Sequence, residues 1–258
     1  MIDGHLAGPD GAGRLGVDDG LVRGDGVFEG MRLYGRRPRT PREHLDRLER
    51  SARAVALPLD RALLERELAA FCEAVSEPDC GVRLMVTRGG HRIWREEPLP
   101  AFSEPLRLMP AAHRVTPLLI GAKTLSYAAN MQAQRLARAG GCGDALLVRA
   151  DDDLVLEGPT TAFGWLEDGA LVFPPLELGV LDSITRRLAA EALPVRERAA
   201  PLAELAAADG AILMSTVIEA QPVAEVVGAA RFDAAAPRVR AACAAIREVA
   251  AARAVDAG

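Results

Sequence analysis

The chain is nearly devoid of lysine. Of its 31 basic residues only Lys123 is one, and the other thirty are arginines. Arginine serves at least as well for surface charge and ion pairs, so charge does not account for the exception. A bias toward GC-rich codons explains the arginines and leaves Lys123 unexplained. What arginine cannot do is lose a proton and attack a carbonyl to form a Schiff base. Cysteine is scarce too. Cys72, Cys80, Cys142 and Cys243 form no C-x-x-C pair, and none lies beside a histidine at metal-ligand spacing. They read as incidental thiols of a reducing cytoplasm, with no metal implied. His5, His44, His91 and His113 are scattered, and no H-x-x-x-H or G-x-S-x-G occurs. The usual signatures of zinc hydrolases and nucleophile-elbow esterases are therefore missing. No apolar run reaches the ~18 residues of a membrane span, and MIDGHLAGPD lacks the basic-then-apolar pattern of a secretory leader. A net charge of −5 argues against nucleic acid as the partner.

What is present suits a soluble globular protein. The 258 residues are 50% hydrophobic and 26% charged, enough for one large domain or two modest ones. The pattern predicts mixed α and β. Val27–Tyr34 and Val82–Thr87 read as strands, and Arg42–Ala56 and Arg61–Val75 as amphipathic helices. Pro41 suits a first helical turn. Prolines crowd the stretch from Glu96 to Pro117, which reads as a linker. We place the boundary there, with a small domain over 1–112 and a larger one over 113–258. Beyond it, helices are expected at Ser126–Ala139 and Ser183–Glu191. Strands are expected at Asp144–Arg149, Leu154–Leu156, Thr161–Leu166, Ala170–Phe173, Ala211–Met214 and Val223–Val227. Asp168-Gly169 is a hairpin turn signal. From Ala234 the tail reads as an alanine-rich helix without assignable chemistry.

Lys123 lies in LLIGAKTLSYAAN, after an apolar run and before a helix. Partial desolvation there would lower its pKa and make the amine nucleophilic. A lysine Schiff base to an aldehyde cofactor points to pyridoxal 5'-phosphate. That cofactor needs a carboxylate at its pyridine nitrogen, and amides, hydroxyls and an arginine for its phosphate. Glu157 in LVLEGPTT supplies an acid at the end of an apolar run; a plain turn acid is the alternative. Ser183-Ile184-Thr185 opens a helix, as a phosphate cradle or with Ser183 as an ordinary N-cap. Ser215-Thr216 ends a strand, with two hydroxyls for the phosphate or none of that role.

AKTLSYAANMQAQRLARAGGCGDALLV resembles the lysine segment of the class IV pyridoxal-phosphate aminotransferases. That family holds branched-chain and D-amino acid aminotransferases, (R)-amine transaminases and 4-amino-4-deoxychorismate lyases. RGDGVFEGMRLYGRR, EHLDRLERSA, LEGPTTAFGWLEDGALVFPP, GVLDSITRR and STVIEAQPV resemble its other motifs in order and spacing. The resemblance implies an α/β (mixed α+β) two-domain fold of the D-amino acid aminotransferase-like type, with the cofactor at the domain junction, and a homodimer. It implies that Lys123 binds the cofactor and shuttles a proton, and that Glu157 pairs with the pyridinium nitrogen. Arg47, the Ile184 and Thr185 amides, Ser183, Ser215 and Thr216 would hold the phosphate, and Tyr127 would bond the phenolic oxygen. Arg23, Arg32, Arg88 and Val217 are the candidates on the substrate side, with Arg32 and Arg88 open to the alternative of surface or ion-pair residues.

The chain departs from the family pattern at Ala162, where asparagine is common, at Ser183 in place of glycine, and at Phe173-Pro174-Pro175. These changes leave the lysine, the acid and the phosphate groups in place. The leading expectation is a transaminase exchanging an amino group between an amino acid or amine and a 2-oxo acid by ping-pong kinetics. A lyase releasing pyruvate and 4-aminobenzoate is the second, and a catalytically silent binding protein on the same scaffold the third. GDGVFEG lacks the strand and helix context of a nucleotide site.

Overall fold

The structure, a computed structural model, describes residues 1–6, 16–100 and 105–254. The chain divides into two compact units. The first comprises Met1–Leu99, Ala122–Tyr127 and Arg253–Gly258, and the second Pro100–Gly121 and Ala128–Ala252. This differs from the expected break at 112. The chain leaves the first unit near Leu99, re-enters it for the Lys123 segment and returns to it at the end. Composition along the chain cannot reveal such returns.

In the first unit, a short helix α1 (Asp19–Arg23) precedes strands β1 (Gly26–Tyr34) and β2 (Arg37–Pro38). Helices α2 (Pro41–Ala54) and α3 (Arg61–Ala74) follow, then strands β3 (Gly81–Thr87) and β4 (Arg92–Glu97). The sheet order is β2-β1-β3-β4, and every pairing is antiparallel. Alternation along β1 turns Val27, Met31 and Leu33 into the core, where they meet Val82, Leu84 and Val86 of β3. Leu45, Leu48 and Ala52 of α2 and Leu64, Leu68 and Phe71 of α3 close that core. Asp60 caps α3, its side chain accepting from the Leu63 amide at 3.0 Å. The strand β4 and helix α1 have no counterpart in the sequence reading.

The second unit holds a larger sheet in the order β6-β5-β11-β10-β7-β8-β9, with β12 on β11. Its strands are β5 (Leu106–His113), β6 (Asp144–Arg149), β7 (Ala162–Glu167), β8 (Ala170–Phe173), β9 (Val195–Glu197), β10 (Gly210–Ser215), β11 (Glu219–Val226) and β12 (Ala230–Arg231). Its helices are α4 (Ala128–Ala139), α5 (Ile184–Ala192) and α6 (Pro237–Ala252). β6 is buried on both sides, which is why it reads as a continuous apolar run. Leu146 and Val148 enter one core, and Ala145 and Leu147 pack with Ala133 and Ala137 of α4 in another. Ile212 and Met214 of β10 meet Val239, Ala242 and Ile246 of α6. The turn between β7 and β8 places Asp168 and Gly169 at φ 51° and 77° and pairs Glu167 with Ala170. That is the left-handed conformation a two-residue hairpin demands.

Two expectations are corrected. The stretch read as a linker contains β5, which pairs with both β6 and β11. Its register with β11 runs only from Leu106 to Leu108, so Pro110 lies where β6 alone flanks the strand. A proline is tolerated at such a position because one side of the ladder is open. Leu154–Leu156 is no regular strand: Leu154 and Val155 form isolated bridges, to Pro201 and Val148.

Candidate active site

In the first unit, Lys123 is fixed by its own backbone. The Phe28 amide donates to the Lys123 carbonyl at 3.0 Å, and the Leu125 amide to the Gly26 carbonyl at 2.9 Å. This close approach requires glycine at 26, since a Cβ there would lie 2.4 Å from the Val86 carbonyl oxygen and 2.6 Å from Leu125 Cδ1. The Lys123 amide donates to Ser51 Oγ at 3.0 Å, and that hydroxyl donates to the Arg47 carbonyl at 2.9 Å. Lys123 is 9% exposed. Its Nζ lies 4.3 Å from the Phe28 ring centroid, 5.3 Å from the Tyr127 centroid and 3.5 Å from the Tyr127 hydroxyl. The two rings meet edge to face at 5.0 Å. The chain's one lysine thus presents its amine beside two aromatic rings that pack against each other.

In the same unit Arg47 joins a buried charge cluster whose other members, Glu29 and His44, the sequence reading missed. Glu29 occupies a core-facing position of β1 and is fully buried. Arg47 grips it in a fork, Nε to Oε1 and Nη2 to Oε2, both at 2.7 Å. His44 Nδ1 lies 2.8 Å from Oε2. Burial pushes the Glu29 carboxyl up, but the Arg47 charge and the hydrogen bonds from Arg47 and His44 outweigh it and hold the group down to about 2. Burial lowers His44 below the usual histidine value against the pull of Glu29. The missed signal was strand parity: Glu29 falls in step with Val27, Met31 and Leu33.

The arginines proposed for substrate are placed differently from one another. Arg88 donates from Nε and Nη2 to Asp25 at 2.9 Å, from Nη1 to the Ala56 carbonyl at 2.8 Å and from Nη2 to the Val55 carbonyl at 2.7 Å. All three of its nitrogens are committed to protein acceptors, so Arg88 clamps Asp25 to the end of α2. Arg23 is largely exposed and pairs with Asp19 at 3.0 Å. Arg32 is half-buried, its guanidinium 4.7 Å from the Tyr34 ring centroid. It shares the outer face of the sheet with Phe28. Arg83 is on that face as well, 5.2 Å from the Phe28 centroid, but is neutralised by Glu97 at 2.7 and 2.8 Å.

In the second unit, both oxygens of Glu157 accept the Leu181 amide at 3.2 Å, which ties the acid to the approach to α5. Its own carbonyl accepts the Leu147 amide at 2.8 Å. The following turn is tight, with the Gly158 amide donating to the Thr161 carbonyl at 2.8 Å. A Cβ at 158 would sit 2.0 Å from Thr161 Oγ1. That hydroxyl is buried with no hydrogen-bond partner among the described residues. Asn130 in the first turn of α4 donates to the Pro159 carbonyl at 2.9 Å, so the helix that follows the lysine also holds the acid's turn.

Ser183 caps α5, its hydroxyl accepting from the Arg186 amide at 3.4 Å with φ −73°. That backbone angle needs no glycine, so serine at 183 brings no backbone strain. The Ile184 and Thr185 amides open the helix, where N–H groups lack intrahelical acceptors. Arg186 stands over the Phe173 ring at 4.9 Å and ion-pairs with Glu197. Ala162 is packed in the core with Met214 and Ile212. Ser215 Oγ accepts the Ile218 amide at 3.3 Å, closing the turn that carries Thr216 and Val217. Thr216 is 7% exposed. The cysteines are all buried free thiols. Burial and the neighbouring Cys80 push Cys72 up to about 12, and burial with Glu96 and Asp79 pushes Cys80 up to about 11, which makes both inert as nucleophiles. Among the described residues, no helix is long and apolar enough to cross a membrane.

Each unit thus carries residues of the kinds the resemblance implies: an amine beside two aromatic rings in the first, and in the second a carboxylate held by an amide, a helix N-terminus and a hydroxyl-bearing turn. Residues 26–226 match the family described as amino-transferase class IV, and the chain belongs to that family. It is 33% identical, over 72% of this chain and 74% of the relative, to a bifunctional aminodeoxychorismate lyase / D-amino acid transaminase of Mycobacterium tuberculosis. A 4-amino-4-deoxychorismate lyase from Pseudomonas aeruginosa is 30% identical with a TM-score of 0.80, covering 96% of this chain and 98% of that one. A hypothetical aminotransferase from M. tuberculosis, in its α-ketoglutarate- and PMP-bound form, is 28% identical with a TM-score of 0.82, covering 95% and 98%.

Proposed function

We propose that the protein is a pyridoxal-phosphate-dependent transaminase that moves an amino group between an amino acid or amine and a 2-oxo acid. The observation that carries this is the only lysine of the chain, held by three backbone hydrogen bonds of its own segment with its amine beside the Phe28 and Tyr127 rings. When bound, the cofactor supplies an aldehyde for amines and a ring that withdraws electrons. Lys123 Nζ would be the amine that holds the cofactor's aldehyde carbon, and when free it would carry a proton to and from the substrate α-carbon. Tyr127 orients Nζ through its hydroxyl, and the same hydroxyl would serve the cofactor's phenolic oxygen. The Glu157 carboxylate holds the proton on the ring nitrogen, and the Leu181 amide aims it. Ser183, the Ile184 and Thr185 amides, Ser215 and the Thr216 hydroxyl bind the phosphate, with Arg47 adding charge from the grip of Glu29.

Arg32 is the arginine we assign to the substrate carboxylate, because it shares the Phe28 face while Arg88 is committed elsewhere and Arg23 points to the surface pairing with Asp19. Val217 forms part of the substrate wall. Four buried free thiols suit a reducing cytoplasm, and we read the working form as a homodimer. A donor screen tests the transaminase: amino transfer from L-branched-chain, D- or aromatic amino acids or chiral amines to 2-oxoglutarate supports it, and no transfer from any donor contradicts it. The likeness to the P. aeruginosa lyase and to the bifunctional M. tuberculosis enzyme favours a second reading, the release of pyruvate from aminodeoxychorismate. Pyruvate formed without an amino acceptor would establish it. A purified protein that takes up no cofactor would be a silent binder.

A further inference from the structure

The tail helix carries no chemistry legible in the sequence, yet one of its side chains braces the turn that bears Thr216. β10 and β11 pair through Met214 with Ala220 and Ser215 with Glu219, which leaves Thr216, Val217 and Ile218 as the connecting loop. Glu219 closes that loop at φ 59°. A left-handed residue is usual in such a loop, but glycine or asparagine normally takes it. A strained position of this kind persists only when its surroundings over-determine it.

The surroundings supply that determination from α6. Arg247 donates to the Ala220 carbonyl from Nε at 3.0 Å and from Nη2 at 2.6 Å. Its Nη2 also reaches Gln221 Oε1 at 3.3 Å. The other end of that amide, Gln221 Nε2, donates to the Ile218 carbonyl at 3.2 Å. The guanidinium therefore seizes the chain directly after the strained residue and orients the glutamine that holds the loop directly before it. Its base is rigid, because Val239, Ala242, Cys243 and Ile246 of α6 are buried against Met214 and Ala220. Only a planar fork serves both acceptors at once, which an ammonium group does less well.

We propose that Arg247 is a positioning residue for the cofactor's phosphate, acting through the 216–218 turn and the Thr216 hydroxyl. The proposal rests on the cofactor reading above and extends it to a residue outside the site. It is tested by measuring the affinity of the full chain for pyridoxal 5'-phosphate and for pyridoxal, which lacks the phosphate. An aldehyde finds only Lys123 and the N-terminal amine to condense with, so difference absorbance reports binding, and peptide mapping after borohydride separates the two amines. Arg247→Ala should weaken pyridoxal 5'-phosphate roughly tenfold, the effect of losing a charged hydrogen bond, and leave pyridoxal within about twofold. Arg247→Lys should recover part of the loss. Gln221→Ala should weaken the phosphorylated ligand alone, by about threefold, and decides the matter should Arg247→Ala fail to fold. Equal weakening of both ligands, or none, would overturn the proposal. A parent protein that binds the two ligands equally would instead sink the phosphate reading itself.

Discussion

Each unit holds an acid of interest, Glu29 in the first and Glu157 in the second, and the two are held in different ways. Glu29 is sealed in the first unit against Arg47 and His44, and its charge is permanent down to about pH 2. Glu157 in the second unit is half-buried and is aimed by the Leu181 amide, a neutral donor. An acid clamped by a fork and an imidazole is spent on shape. The Leu181 amide orients Glu157 without cancelling its charge, and in the proposed function that charge would face the protonated ring nitrogen. Under the proposed function, then, the more deeply buried of the two acids is the structural one.

That contrast can be broken by substitution. Glu29→Gln leaves Arg47 charged and buried, which should cost about 3–5 kcal/mol of stability, read by denaturant unfolding. The pH dependence sharpens the point. The folded-state value of Glu29 is depressed from 4.5 to about 2, so its stabilisation is full above about pH 4.5 and fades as pH falls toward 2. The shift corresponds to about 3 kcal/mol. His44, lowered by burial, adds loss in the same direction as pH drops below its ordinary value of 6.5, because the unfolded chain binds the proton more readily. The Glu29→Gln variant should lose the part between about pH 4.5 and 2. Glu157→Gln should do the reverse: unfolding within about 1 kcal/mol of the parent, but turnover down roughly a hundredfold, as for loss of one electrostatic partner in an active site. Arg88→Ala should lower the unfolding temperature by a few degrees and leave the substrate KM within about twofold, since its acceptors are Asp25 and two carbonyls. Asn130→Ala should have the smallest effect, about 1 kcal/mol for one hydrogen bond to the Pro159 turn.

Much of this was legible before the fold was known, for physical reasons that can be named. Asp168-Gly169 announced its hairpin because only a left-handed turn fits there. β6 and β8 were read with their ends correct because they are buried apolar runs between turn residues. Lys123 stood out because every other cation is arginine. Glu29 is hard to see in the sequence because an acid in a strand normally faces water, although counting by twos from Val27 places it inward. β5 was hidden by Pro110, whose cost vanishes only because β11 has already left its side. The Arg88–Asp25 and Arg247–Ala220 contacts join residues 63 and 27 positions apart, and no local pattern signals them. The chain's returns to the first unit at Ala122–Tyr127 and Arg253–Gly258 belong to the same class.

The central claim is that Lys123 is the amine that takes the cofactor. Incubation with pyridoxal 5'-phosphate, borohydride reduction and peptide mapping tests it most directly. The account predicts one modified peptide, that containing Lys123, and its disappearance in Lys123→Ala. Modification confined to the N-terminal amine, or an unchanged yield of cofactor-bearing protein in the variant, would contradict it.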